Sequence, residues 1–263
     1  MTVAATTSTR SGLRLAIPGQ HGAWAFLGVP LLLGFAVVGW SAPAALFALA
    51  WVLAFPASYY LGRAVVIRWR RGNWSRLARR ELHDAVPWVV LAGVAGLILL
   101  VLRPWLLWVG AVLGVLWGAS LWLTRTGHER GASNDLLLVA QASLAVPLMW
   151  GIATDTADLG IGTPAAADAW LAAFVCLMFF TGSVLHVKSL IRQADDRRWA
   201  IASRVFAVLS LAMGLISPWL ILPFGAAAVR SFAVRAGSRP AVIGAVEIVV
   251  SVLIVVGGAL ALA

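Results

Sequence analysis

Residues 85–123 read AVPWVVLAGVAGLILLVLRPWLLWVGAVLGVLWGASLWL and carry a single charged residue, Arg103. Two apolar runs, 85–102 and 105–123, are parted only by Arg103 and Pro104. Each run approaches the roughly 20 residues that a helix needs to cross the hydrocarbon layer of a bilayer. In lipid every backbone N–H and C=O must be satisfied within the protein, which leaves the helix as the natural state of such a run. Pro104 suits a first helical turn, where its missing N–H costs least. The stretch predicts two antiparallel membrane helices joined by a tight turn.

The rest of the chain repeats this pattern. Apolar runs predict further spans at 22–40, 43–61, 136–153, 169–187, 201–216, 218–234 and 241–262, giving an all-α polytopic bundle of about nine spans. Pro43 and Pro218 also fall at first turns, whereas Pro30, Pro56, Pro147 and Pro223 lie inside runs and predict kinks. The pair 201–216 and 218–234 reads either as two spans or as one broken helix. Of 263 residues, 62% are hydrophobic and 11% charged, with 14 Trp; mean hydropathy is +0.93. That much apolar surface calls for lipid as its solvent. Residues 1–17 read as a disordered cytoplasmic tail and 18–263 as a single transmembrane domain. Cys176 is the only cysteine, which excludes an intrachain disulfide and reads as a small buried hydrophobe.

Charge orients the bundle. The net charge is +10, but it needs no nucleic acid to explain it. Laid out on these spans, nineteen of the 20 Lys and Arg residues fall on one side, with Arg103 alone on the other. The opposite loops carry Asp155, Asp158 and Asp168. The positive-inside rule then predicts a multi-pass membrane protein, N-terminus in and C-terminus out. Seven arginines in the segment 62–84 suit an amphipathic helix lying on anionic lipid, with Trp69 and Trp74 in the interface.

Polar residues at the inside ends are the candidate site. Gln20, His21 and Trp24 follow the breaker Pro18-Gly19 at the start of the first span, with Gln20 and Trp24 on one helix face. Arg63 follows Tyr59 and Tyr60, and Glu81, His83 and Asp84 enter the third span. Glu129 and Arg130 precede Asn134 and Asp135, either of which suits an N-cap of the fifth span. His186, Lys188 and Arg192 close the sixth, and Asp195 and Asp196 follow. Lys188 is the only lysine in the chain, one helical turn from Arg192; two cations on one face suit a phosphate or a carboxylate. His21, His83 and His186 are candidates for a general base. Glu247 lies six residues into the last span, where an ionisable group needs a partner, a structural one among the arginines or a functional one.

The run Gln20-His21-Gly22-Ala23-Trp24-Ala25, followed by Pro30 and Leu33-Gly34, resembles the N-terminal signature of the YwiC-like family of bacterial membrane proteins. Glu129-Arg130, Asn134-Asp135, Lys188 and Ile191-Arg192 fit the same family. A more distant similarity in topology is to UbiA-type intramembrane prenyltransferases, whose active-site motifs lie in the cytoplasmic loops after helices two and six. Here those loops hold the Arg63 and Lys188–Asp196 regions. The UbiA resemblance implies prenyl or lipid transfer with Mg²⁺ on a prenyl diphosphate. The Asp-rich motif of loop two is missing, and Asp195-Asp196 is at best a remnant of the other. Arginines are the available substitute clamp.

The expected function is therefore binding of an anionic amphiphile (an isoprenoid diphosphate, quinone precursor or lipid headgroup) at a cationic cytoplasmic cavity among membrane lipids. Gln20, His21, Trp24, Arg63, Glu129, Arg130, Asn134, Asp135, His186, Lys188 and Arg192 are its ligand-binding candidates. Two alternatives stand beside it. One is a small-anion or lipid transporter, and the other a membrane subunit or assembly factor in respiratory or haem metabolism.

Overall fold

The computed structural model describes residues 16–19, 21–128 and 131–262, and only the backbone of His21 and Gly22. Gln20, Glu129 and Arg130 lie outside the described residues, as does most of the tail expected at 1–17. Among the described residues the regular elements are all helical. They are α1 (His21–Val38), α2 (Ala42–Arg71), α3 (Arg76–Leu102), α4 (Leu106–Arg125), α5 (Ala132–Ser143), α6 (Ala145–Thr154), α7 (Ala167–Val187), α8 (Arg197–Leu209), α9 (Ile221–Ala233) and α10 (Pro240–Leu262). A π-helical turn, Lys188–Arg192, extends α7.

Among the described residues seven stretches are long and apolar enough to cross a bilayer: 42–71, 76–102, 106–125, 132–154, 164–192, 197–215 and 240–262. Two shorter apolar helices, 23–38 and 218–233, occupy the remaining expected positions. Helices α5 and α6 form one stretch that breaks at Leu144. Pro147 has no N–H to offer the carbonyl of Ser143, so the break falls one turn before it. The segment 201–234 is two antiparallel helices, not one broken helix: Arg204 Nε donates to the Ser231 carbonyl at 3.5 Å across the pair.

The segment 62–84 departs from expectation. No separate helix lies along the surface there; α2 runs on to Arg71, and α3 begins at Arg76. Gly72, with φ 69°, ends α2 in the left-handed conformation, and the Ser75 hydroxyl caps α3 by accepting from Ala78 N at 3.3 Å. These are efficient stop and start signals. The 30 residues of α2 rise about 45 Å, well beyond a hydrocarbon layer of about 30 Å. The α2–α3 hairpin therefore carries its arginines clear of the apolar zone.

Two apolar clusters hold the bundle. Leu33, Phe179, Phe180, Phe224 and Ile254 centre one, formed by α1, α7, α9 and α10. Leu31, Phe47, Leu99, Leu148, Met149 and Ile152 centre the other, where α2, α3 and α6 meet α1. Close approach depends on small residues, as it does between membrane helices in general. A Cβ on Gly34 would stand 2.7 Å from Met149 Sδ, and one on Gly257 would stand 2.8 Å from the Trp219 carbonyl. At the end away from most arginines, Arg103 pairs with Asp155 at 3.1 Å and donates to the Ile152 carbonyl at 3.0 Å. The exceptional arginine is thus an ion pair tying the α3–α4 turn to the end of α6.

Candidate functional site

Polar contacts gather the arginine-rich helix ends at one end of the bundle. Asp135 lies in the first turn of α5, where a negative charge suits the helix dipole. Its Oδ2 is 2.7 Å from Lys188 Nζ and 3.8 Å from Arg192 Nη1. Both cations sit on the π-helical turn that ends α7. Lys188 is buried at 4% exposure, whereas the Arg192 side chain is 44% exposed. The Asp135 carboxylate thus lies within ion-pair distance of both cations, and Arg192 is the more accessible of the two. A buried ammonium is tolerable only with such a partner.

Asn134 and Asp135 do not cap the fifth span. The helix starts earlier, at Ala132, with Gly131 before it and no side-chain cap. Asn134 is instead buried, and its Oδ1 accepts from Ser120 Oγ at 2.8 Å, fastening α5 to α4. Arg70 closes the neighbouring gap by donating to the Thr124 carbonyl at 2.6 Å.

Arg63 has its own carboxylate. It lies 2.9 Å from Glu81 Oε1 on α3 and donates to the Tyr59 hydroxyl at 2.9 Å. Glu81 is buried, and its second oxygen has no hydrogen-bond partner among the described residues. Trp24 of α1 meets Phe55 edge-on at 5.2 Å, and Phe55 lies beside Tyr59. That aromatic run leads from the start of α1 to Arg63. His83 faces away, its side chain 91% exposed and 3.9 Å from Asp84.

His186 is buried at the other side of the π turn, where it lines a small cavity with Ser203, Ser210, Ser231 and Arg230. The space holds about one water molecule. Arg230 of α9 forms an ion pair with Glu247 of α10 and donates to Ser183 Oγ of α7 at 3.0 Å. Glu247 has thus found a partner among the arginines. Arg230 itself had read as an ordinary inside flank; the signal that points to it is the unpaired acid of the neighbouring run. Its burial and its partners on α7 and α10 make it a cation locking three helices together.

Asp196 is spent on capping: its Oδ1 accepts from Arg198 N at 2.9 Å at the start of α8. Among the described residues no group of three or more His, Cys, Asp or Glu side chains is placed to hold a metal ion.

The sequence model of the family described as YwiC-like protein matches residues 17–150. The chain is also 31% identical over 224 residues to "Uncharacterized protein YwiC" of Bacillus subtilis (strain 168), covering 81% of this chain and 80% of that relative. The chain belongs to the YwiC-like family. The matched segment carries Trp24, Arg63, Glu81, Asn134 and Asp135, while Lys188, Arg192, Arg230 and Glu247 lie beyond it. No solved structure matches the chain.

Proposed function

We propose that this chain binds an anionic amphiphile, its phosphate or carboxylate held at the arginine-rich end and its apolar tail among the helices. The observation that carries this reading is the Lys188–Asp135–Arg192 cluster. A buried lysine on a π-helical turn is costly to maintain, and such turns recur at functional sites. The Asp135 carboxylate holds Lys188 in place and leaves Arg192 half exposed, the better placed of the two to meet a ligand. Asn134 and Ser120 brace the first turn of α5 that presents Asp135. Arg63, backed by Glu81 and Tyr59, is a second cation at the same end.

In this reading residues 18–263 are one helical domain of a bacterial plasma membrane, and the arginine-rich end is cytoplasmic. Gln20, His21, Glu129 and Arg130 belong to the site by their positions in sequence. An isoprenoid diphosphate, a quinone precursor or a lipid headgroup fits the charge and the apolar surroundings. A UbiA-like transfer reaction is the catalytic extension of the same binding role, with arginine in the place of metal.

Untargeted mass spectrometry of molecules that co-purify with the protein tests the reading. An anionic amphiphile should be enriched with the wild type and lost from Arg192→Ala, with thermal unfolding unchanged. The same molecules on both proteins would overturn it.

A further inference from the structure

A second surface on the molecule has a cation with no carboxylate beside it. Between α8 and α9, on the outside of the bundle, Arg204, Val205, Val208, Leu209 and Phe232 line an open groove of about 250 Å³. Its walls are apolar, and Val205, Val208, Leu209 and Phe232 are each about half exposed or more. Arg204 stands at one end, its guanidinium over the Phe232 ring at 5.6 Å and its Nε toward the Ser231 carbonyl. Among the described residues no carboxylate lies within ion-pair distance of it. From Arg204 to Leu209 the helix rises roughly 8 Å, away from the arginine-rich end.

We infer that this groove binds an anionic glycerophospholipid, its phosphate on Arg204 and the first part of one acyl chain along Val205, Val208 and Leu209. Charge complementarity selects this occupant over a neutral lipid. Arg197 and Arg198 start α8 next to Asp195 and Asp196, and Arg235 and Arg239 follow α9, so the chain flanking this end carries an excess of positive charge. Basic pockets between membrane helices on an arginine-rich face are a recurrent way to hold an anionic headgroup. The rings and branched side chains below Arg204 then fix the chain by van der Waals contact. The lipid would sit across both helices of the α8–α9 hairpin. This site is separate from the Arg192 cluster and does not depend on it.

The test equilibrates the detergent-purified protein with an equal mixture of phosphatidylglycerol and phosphatidylcholine of matched chains, and counts bound lipids by native mass spectrometry. The wild type should retain phosphatidylglycerol about tenfold over phosphatidylcholine. Arg204→Ala should return the ratio to that of the mixture, while Arg204→Lys keeps most of the preference. Val208→Trp, which fills the groove without touching the charge, should also abolish retention. Near-unchanged thermal unfolding of the variants in lipid-free detergent would show that the fold is intact. A wild-type ratio equal to the mixture overturns the inference, as does a preference that survives Arg204→Ala or Val208→Trp. Loss of phosphatidylglycerol from Arg192→Ala would assign that lipid to the other site and overturn it equally.

Discussion

Lys188 gives up its hydration beside Asp135, so the two residues must be judged together. Removing one partner of a buried pair strands the other charge and costs about 3–5 kcal/mol, whereas replacing both with apolar residues is often close to neutral. Asp135→Leu alone should therefore lower stability, and Asp135→Leu with Lys188→Met should recover part of the loss. Tryptophan fluorescence during thermal unfolding reads both, and equal losses in the single and double variants would mean that the pair does not interact. The same cycle applied to Arg230→Leu and Glu247→Leu should behave alike, because Arg230 is buried against that acid. These residues show what composition can reveal. Glu247 stood out because it was an acid within an apolar run, and the need for a partner pointed to an arginine. Arg230 did not, since a cation near the end of a span is what topology alone produces. Nor did the burial of Asn134, whose side chain looks as suited to capping as to reaching Ser120 across two helices.

Helix ends and crossings were legible where a local rule governs them. The turn at Arg103-Pro104 and the break before Pro147 follow from a missing N–H and short apolar-run spacing. The extension of α2 and α3 did not, because an arginine-rich helix protruding from a bilayer and one lying on it share the same residues. What separates them is pairing: Arg63 reaches Glu81 only if the two helices run alongside. Gly72 is the turn's left-handed residue, and Gly72→Ala should cost about 1–2 kcal/mol in that conformation. At the α1–α6 crossing Gly34 meets Met149 closely, so Gly34→Val should cost about 1–3 kcal/mol through overpacking. Both losses are measurable by thermal unfolding in detergent. Adding Met149→Ala should relieve part of the Gly34→Val loss, and no relief would place the strain elsewhere. The π-helical turn had no visible signature, since it depends on where Lys188 must point to reach Asp135.

For the whole molecule, the membrane class and the arrangement of apolar stretches could be read from the chain because hydrophobicity and charge are averaged over many residues. Its sidedness is a proposal resting on the same average. In a Cys176→Ala background, a single cysteine at Ser75 should escape an impermeant maleimide added outside intact cells, and one at Gly162 should react. The reverse pattern would place the arginine-rich end outside. The proposed binding site could not be read the same way, because it rests on a few contacts between helices distant in sequence, of which Asp135 with Lys188 and Arg192 is the chief. The most direct test, in an Arg204→Ala background that removes the outer groove, is titration of the purified protein with decyl phosphate and with decanol, which share a chain and differ in the headgroup. A charge-assisted contact worth about 1.5–3 kcal/mol predicts at least tenfold tighter binding of the phosphate, with that advantage lost in Arg192→Ala. Equal affinity for the two, or an advantage undiminished in Arg192→Ala, would contradict the account.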